Sequence, residues 1–455
     1  MDDAVHALTR TGRRHLLEGM SDSAPATSSA RPVDASERLP LLDVLRGFAL
    51  WGVFVSNSFA WFSGRVLMPR EQAQALAAPP FEAAVTALYH FFVNQKFVTL
   101  FAFLFGLGFS IQLQRAERRG ASVVPVYSRR LLVLLGIGVV HLTALWAGDV
   151  LSTYALLGFA LLFFRDRSDR TLLVWVGLSV VVVPLLVPAL LHFGPILLHG
   201  AQAAADAAKA TEAMEAQTRG QLLLGLQSDS LWTTQAANAH FLNYMLPTLK
   251  RLLWMIFILG RFLLGLLAGR HLLLQDVERH RALHRKLLGW GLVLGVLGNG
   301  AGVVVQHLRL AGLLDPSKAH WMFTLSAIQE LGYLGLAAFY VAAFALLFQK
   351  ERWRRWLGVL APVGRMALTN YLMQTVVSLC LYDGWGLGLI GKLPPSRCVA
   401  LTMLVFALQV PFSRAWLSRF RFGPAEWLWR SLTYGQRQPM RLALKPSPAG
   451  VPDVR

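Results

Sequence analysis

Charge is scarce in this sequence: Asp, Glu, Lys and Arg make up 15% of its 455 residues, where a soluble globular chain carries about 25%. Hydrophobic residues reach 55%. The composition therefore excludes a soluble globular domain and points to an integral membrane protein. Acidic residues are the scarcer sign, 25 against 44 Lys and Arg, for a net charge of +19. In a soluble chain that imbalance would suggest nucleic acid. Here the basic residues cluster between apolar runs, as they do when Lys and Arg orient helices in a bilayer, and no nucleic-acid partner is expected.

Cysteine is almost absent. Cys380 and Cys398 are the two present, which excludes a disulfide framework and a cysteine metal site. Both are expected near one membrane face, where a disulfide is possible and two lipid-packed thiols are preferred. Also missing are a GxxxxGK[ST] phosphate loop, HExxH, CxxC and a Gly-x-Ser-x-Gly elbow, so neither an ATP-driven pump nor a common hydrolase is supported. His280 and His284 share a helix spacing, but with no third ligand in register they read as a solvated face and no metal is assigned.

What the sequence does have is apolar runs of membrane-crossing length. The organising stretch is Arg129 to Gly158, RRLLVLLGIGVVHLTALWAGDVLSTYALLG, read as two spans joined by a tight hairpin at Trp146-Ala147-Gly148-Asp149. Residues 1–40 lack an apolar core and are expected to be a disordered cytoplasmic tail, with Met20 an alternative start. Residues 41–198 hold five spans, the fifth with Pro184, Pro188 and Pro195 and expected to be kinked. Residues 199–249 form a hydrophilic extracytoplasmic loop, residues 250–434 hold five more spans, and residues 435–455 are a second tail. The fold class is an all-α integral membrane protein with about ten transmembrane helices. Loops after even-numbered spans carry RAERR, RDRSDR, GRHLLLQDVERHRALHRK and KERWRR. Both termini are therefore assigned to the cytoplasm of a bacterial cytoplasmic (inner) membrane.

Helical rise then converts position into depth. Asn57, Lys96 and His141 fall roughly 7 to 8 Å below the outer surface, with Asp149 just above them. Arg261, Glu330 and Gln374 fall roughly 12 to 14 Å deep. Polar groups on six helices at similar depths can line one outward-facing cavity, since burial in lipid costs each of them several kcal/mol. Each also has a plainer role. Lys96 can snorkel to headgroups, His141 can bond a neighbouring helix, Arg261 and Glu330 can form a structural ion pair, and Asp149 can cap the next helix. Arg46 sits near the cytoplasmic end of the first span, followed by Gly47, where it can hold a phosphate or carboxylate.

The segments LLDVLRGFALWGVFVSN, KFVTLFAFLFGLGFSIQLQRA, the hairpin stretch above, GRMALTNYLMQTVV, YDGWGLGLIG and FGPAEWLWRSLTY occur in this order. Together they resemble the YeiB-like family of bacterial multi-pass membrane proteins, whose C-terminal half is a domain of unknown function. The opening LRGFA is also distantly similar to transmembrane acyltransferases, both the acyltransferase-three enzymes and heparan-alpha-glucosaminide N-acetyltransferase. In the first of these an arginine precedes a histidine with ten residues between them; here Arg46 matches the arginine and Asn57 occupies the histidine position. The heparan-type enzymes also carry an asparagine there and place their histidine later.

That resemblance implies acyl transfer from a cytoplasmic acyl-CoA, received by Arg46 and the Arg129-Arg130 loop. His141, oriented by Asp149, is the candidate base, and Lys96 or Asn57 the candidate oxyanion donor. The alternative is transport of a small polar solute or proton through Arg261, Glu330 and Lys96, with the three prolines as a hinge. A third reading is a scaffold whose polar groups lock helix packing.

Overall fold

The computed structural model describes residues 38–310, 313–314 and 321–442. The expected N-terminal tail up to residue 37, the alternative start Met20 and the tail beyond residue 442 lie outside the described residues. Among the described residues every regular element is a helix, apart from one bridge between Phe420 and Arg441.

Helix α1 (Pro40–Asn57) opens with proline in its first turn and Asp43 beside its N-terminal amides, both favourable there. It runs into a π-helical turn, Ser58–Phe62. Next come α2 (Arg70–Ala77), α3 (Pro80–Phe92) and α4 (Lys96–Arg118). The span expected from about Phe91 to Leu113 is thus broken at Gln95, whose φ of 65° is left-handed. The hairpin stretch folds as α5 (Val124–Ala144) and α6 (Leu151–Phe164).

Helix α7 (Asp169–Gly177) passes through a π turn at Leu178–Val182 into α8 (Val183–His199). The interruption falls directly before Pro184, which has no amide to continue the ladder. The segment expected to be a hydrophilic loop is instead two helices, α9 (Ala201–Leu226) and α10 (Leu231–Met245). Ala and Gln favour helix without any membrane, and the Ser230 hydroxyl accepts from the Thr233 amide to start the second one.

The second half comprises α11 (Leu249–Arg270), α12 (Arg281–Leu310), α13 (Met322–Phe348), α14 (Glu351–Leu357), α15 (Ala361–Arg365), α16 (Ala367–Tyr382), α17 (Pro395–Leu417) and α18 (Pro424–Tyr434). Seven described helical stretches are long and apolar enough to cross a membrane. The expected spans at about Leu41 to Phe62, Val150 to Phe164 and Gly364 to Tyr382 fall short of that test. Helix α1 carries Asp43, Arg46 and Asn57 in 18 residues, α6 has 14 residues, and α16 has 16.

Tight helix contacts rest on glycine. A Cβ on Gly106 of α4 would lie 1.9 Å from the Phe262 carbonyl oxygen of α11, and one on Gly265 would lie 2.0 Å from that of Phe103. Only hydrogen lets these two backbones meet. Large apolar side chains stand exposed around the outside, Leu190, Phe163, Leu297 and Leu408 among them. That inversion of the soluble pattern is what a lipid surround requires. The inner faces of α1, α4, α6 and α16 pack Leu45, Leu50, Leu100, Leu104, Ala155 and Tyr371 into one core.

Candidate functional site

Inside the bundle is a cavity of about 770 Å³. Its two ends differ in chemistry. One is lined by seven arginines, Arg38, Arg46, Arg115, Arg130, Arg365, Arg421 and Arg430, against two acids, Asp43 and Glu426. Both acids are already engaged. Asp43 Oδ1 accepts from Arg46 at 3.0 Å. Glu426 caps α16, accepting from the amides of Leu368 at 2.6 Å and Thr369 at 3.0 Å and from the Thr369 hydroxyl at 2.5 Å. A positive surplus remains at this end, and it attracts phosphate or carboxylate. Arg130 is held in place by Trp429: its guanidinium lies 4.1 Å from the indole, whose N–H donates to the Arg130 carbonyl.

The opposite end is aromatic and mixed in charge. Trp61, Trp146 and Trp254 meet Glu215, Arg219, Phe241 and Tyr244, which α9 and α10 contribute. Glu215 pairs with Lys250, and Arg251 donates to the Thr153 hydroxyl at 2.5 Å. Between the two ends the wall includes Asn57, Gln95, Gly148, Val150, Leu151, Tyr154 and Tyr371.

His141 lies one layer behind that wall, 1% exposed. Its Nδ1 is 2.9 Å from Asp149 Oδ1 and its Nε2 is 3.0 Å from Thr375 Oγ1. A carboxylate only accepts, so Nδ1 carries a proton; in the neutral ring Nε2 then accepts from the threonine hydroxyl. Asp149 also accepts from the amides of Leu151 at 3.0 Å and Ser152 at 2.7 Å, so it caps α6 and orients the imidazole at once. The tight hairpin makes this possible: Asp149 follows His141 by eight residues, and the chain reverses between them. Hydroxyl, imidazole and carboxylate in series form the arrangement that poises a base or a nucleophile.

The other expected site residues divide into two groups. Arg46, Arg130 and Asn57 line the cavity. Lys96, Arg129, Arg261, Glu330 and Gln374 do not. Lys96 is fully buried and turned inward, donating to the His90 carbonyl at 2.6 Å with its ammonium 4.7 Å from the Tyr333 ring. It fastens the break between α3 and α4 and reaches no headgroup, because the left-handed Gln95 directs the chain back into the protein. Arg129 is exposed beside the half-buried Arg130. Arg261 donates to Glu330 at 2.7 Å, to Thr99 at 2.7 Å and to the Phe257 carbonyl at 2.7 Å. This satisfied pair joins α11 to α13 away from the cavity. Gln374 donates to Gln409 at 2.9 Å, tying α16 to α17.

Both cysteines are free, Cys380 exposed and Cys398 buried against the Tyr382 hydroxyl. His284, expected on a solvated face, is buried with Nε2 2.9 Å from the Leu273 carbonyl. Sequence reading missed Thr375 and Tyr371, which face His141 from α16. The available signal was the polar stripe Asn370, Tyr371, Gln374, Thr375 and Ser378 within an apolar helix. It also missed Arg365, Arg430 and Trp429, although the last two lie inside the quoted segment FGPAEWLWRSLTY.

Helical bundle, lipid-facing exterior and internal cavity define an all-α, multi-pass membrane protein. Comparison with known proteins narrows this to one lineage. A family model described as a protein of unknown function (DUF418) matches residues 268–436. The chain is 35% identical over 434 residues to the uncharacterized protein YxaH of Bacillus subtilis (strain 168), covering 91% of this chain and 98% of that one. It is 30% identical over 410 residues to the uncharacterized protein YeiB of Escherichia coli (strain K12), covering 87% and 96%. The chain therefore belongs to the YeiB-like family. No solved structure matches.

Proposed function

We propose that the chain is a membrane-embedded acyltransferase. It takes an acyl group from acyl-CoA at the arginine end of the cavity and passes it to an acceptor hydroxyl or amine entering from the aromatic end. The observation that carries this reading is the cavity joining two chemically different ends, with His141 and Asp149 beside its middle. Arg46 and Arg130 supply the charge and forked donors that a nucleotide phosphate requires. Asn57, on the wall, presents an amide to the thioester. His141 takes the acceptor's proton once the Thr375 hydroxyl releases Nε2 or relays the proton to it.

This reading uses a topology of about ten spans in a bacterial inner membrane, with the arginine end and both termini in the cytoplasm. Helices α9 and α10 then cover the extracytoplasmic end. The bilayer is the partner, acyl-CoA is a substrate, and no resident cofactor is needed.

The test uses inside-out bacterial vesicles, which present the arginine end to added acyl-CoA. Wild type is expected to bind and consume it. Arg46→Glu and Arg130→Glu weaken binding at least about tenfold, and His141→Gln keeps binding while turnover falls about 100-fold. A wild-type protein that neither binds nor consumes acyl-CoA ends this proposal. A cavity reaching both ends of the bundle also favours a second reading, passage of a small polar solute. Under it, wild-type proteoliposomes accumulate solute unchanged. Arg261, Glu330 and Lys96 are off the cavity and outside any such path.

A further inference from the structure

Tyr371 is 5% exposed, lines the cavity, and has a ring centroid 5.2 Å from that of His141. Its hydroxyl is buried with the Val150 backbone beside it, and its own hydrogen has no acceptor at normal hydrogen-bond geometry. An unpaired buried hydroxyl costs about 1–3 kcal/mol, and phenylalanine would fill the same space without that cost. Nearby polar groups are paired: His141 with Asp149 and Thr375, and Asp149 also with two amides. The one donor left without a partner beside the imidazole is therefore the phenol. A second orphan hydroxyl, that of Tyr127, lies on α5 about 21 Å of helical rise before His141, at the arginine end.

Resting on the acyl-transfer reading, we infer that Tyr371 donates its hydroxyl hydrogen to the carbonyl oxygen of the thioester as negative charge develops there. It fills the oxyanion role for which Lys96 is not available. In the step itself the acceptor's oxygen or nitrogen bonds to the carbonyl carbon and the carbon–sulfur bond breaks. The acceptor's proton passes by way of His141 to the departing thiolate, so free CoA leaves and Tyr371 keeps its proton throughout. The phenol hydrogen-bonds more strongly to the tetrahedral oxyanion than to the resting carbonyl, so its contribution belongs to turnover and little of it to binding.

The experiment measures CoA release from acetyl-CoA and palmitoyl-CoA by chromatography, in inside-out vesicles holding wild type, Tyr371→Phe or no added protein. The thermal midpoint of each purified variant is measured beside it. Tyr371→Phe is expected to lower kcat about 100-fold with KM within about twofold, and to melt at or above the wild-type temperature because an unpaired hydroxyl has been removed. Equal turnover in the two proteins overturns the role of Tyr371 and leaves the acyl-transfer reading standing. So does a loss of activity accompanied by a lower melting temperature, which is the mark of a packing role. If wild-type vesicles release no more CoA than empty ones, the acyl-transfer reading falls and this inference falls with it.

Discussion

Among the described residues, the buried charged side chains Lys96, Asp149, Arg261 and Glu330 each have a hydrogen-bonding partner, and Arg46 and Arg130 stand on the cavity wall. Arg261 and Glu330 are the clearest pair, with side chains 3% and 9% exposed at 2.7 Å. Removing one partner strands the other in a low-dielectric interior, at a cost of about 3–5 kcal/mol, whereas replacing both with apolar groups of similar size is close to neutral. Arg261→Met and Glu330→Leu are each expected to depress the thermal midpoint strongly, and the double substitution to restore most of it. Activity in the double variant should match wild type, because neither residue lines the cavity. A double variant as unstable as the singles would show that the two do not act as a pair.

The three helices that fall short of membrane-spanning length or apolarity each add to the cavity wall, beside α4, α5 and α11, which meet that test. α1 supplies Arg46 and Asn57, α6 supplies Leu151 and Tyr154, and α16 supplies Tyr371. Surrounded by other helices, they meet less lipid and can carry polar groups. One connection between helices holds a buried acid. Asp383, in the turn after α16, is 3% exposed and held by one bond from the Trp385 indole at 3.2 Å. Burial pushes its carboxyl up from 3.8 to about 7, which the indole bond only partly opposes.

The sign follows from linkage: the folded state holds this proton more tightly than the unfolded one, so stability is full below about pH 4 and declines as pH rises toward 7. Asp383→Asn keeps an acceptor for Trp385 and removes the ionisation. In detergent, wild type minus Asp383→Asn stability is expected to fall by on the order of 3 kcal/mol between pH 4 and pH 8. A difference that stays constant with pH would mean that Asp383 ionises in the folded protein as it does in water.

At the scale of the whole molecule, the proposed topology, read from the distribution of Lys and Arg, sets the arginine end of the cavity toward the cytoplasm. Positions on opposite ends can report this directly. In a Cys380→Ser background, Ala210→Cys on α9 is expected to react with an impermeant maleimide in intact cells. Arg354→Cys on α14 is expected to react only in inside-out vesicles. Both positions are exposed. Labelling of both from the same side would change the number of spans between them by one, and the swapped pattern would reverse the orientation.

The sequence by itself determined that this is a membrane protein, where most of its helices lie, and that a tight hairpin sets Asp149 just above the level of His141. Composition and run length respond to the solvent, and a bilayer permits few solutions; a short hairpin leaves its two ends little choice but to meet. Only the tertiary structure decided which buried polar groups share a space. Lys96, Arg261, Glu330 and Gln374 lie at depths close to those of the cavity residues, yet each points to a local partner. Depth is a one-dimensional quantity set by helical rise, whereas the direction a side chain takes depends on rotation about each helix axis and on breaks such as the one at Gln95. The same reason hid Thr375 and Tyr371, whose hydroxyls look ordinary on an apolar helix until α16 is turned toward α5.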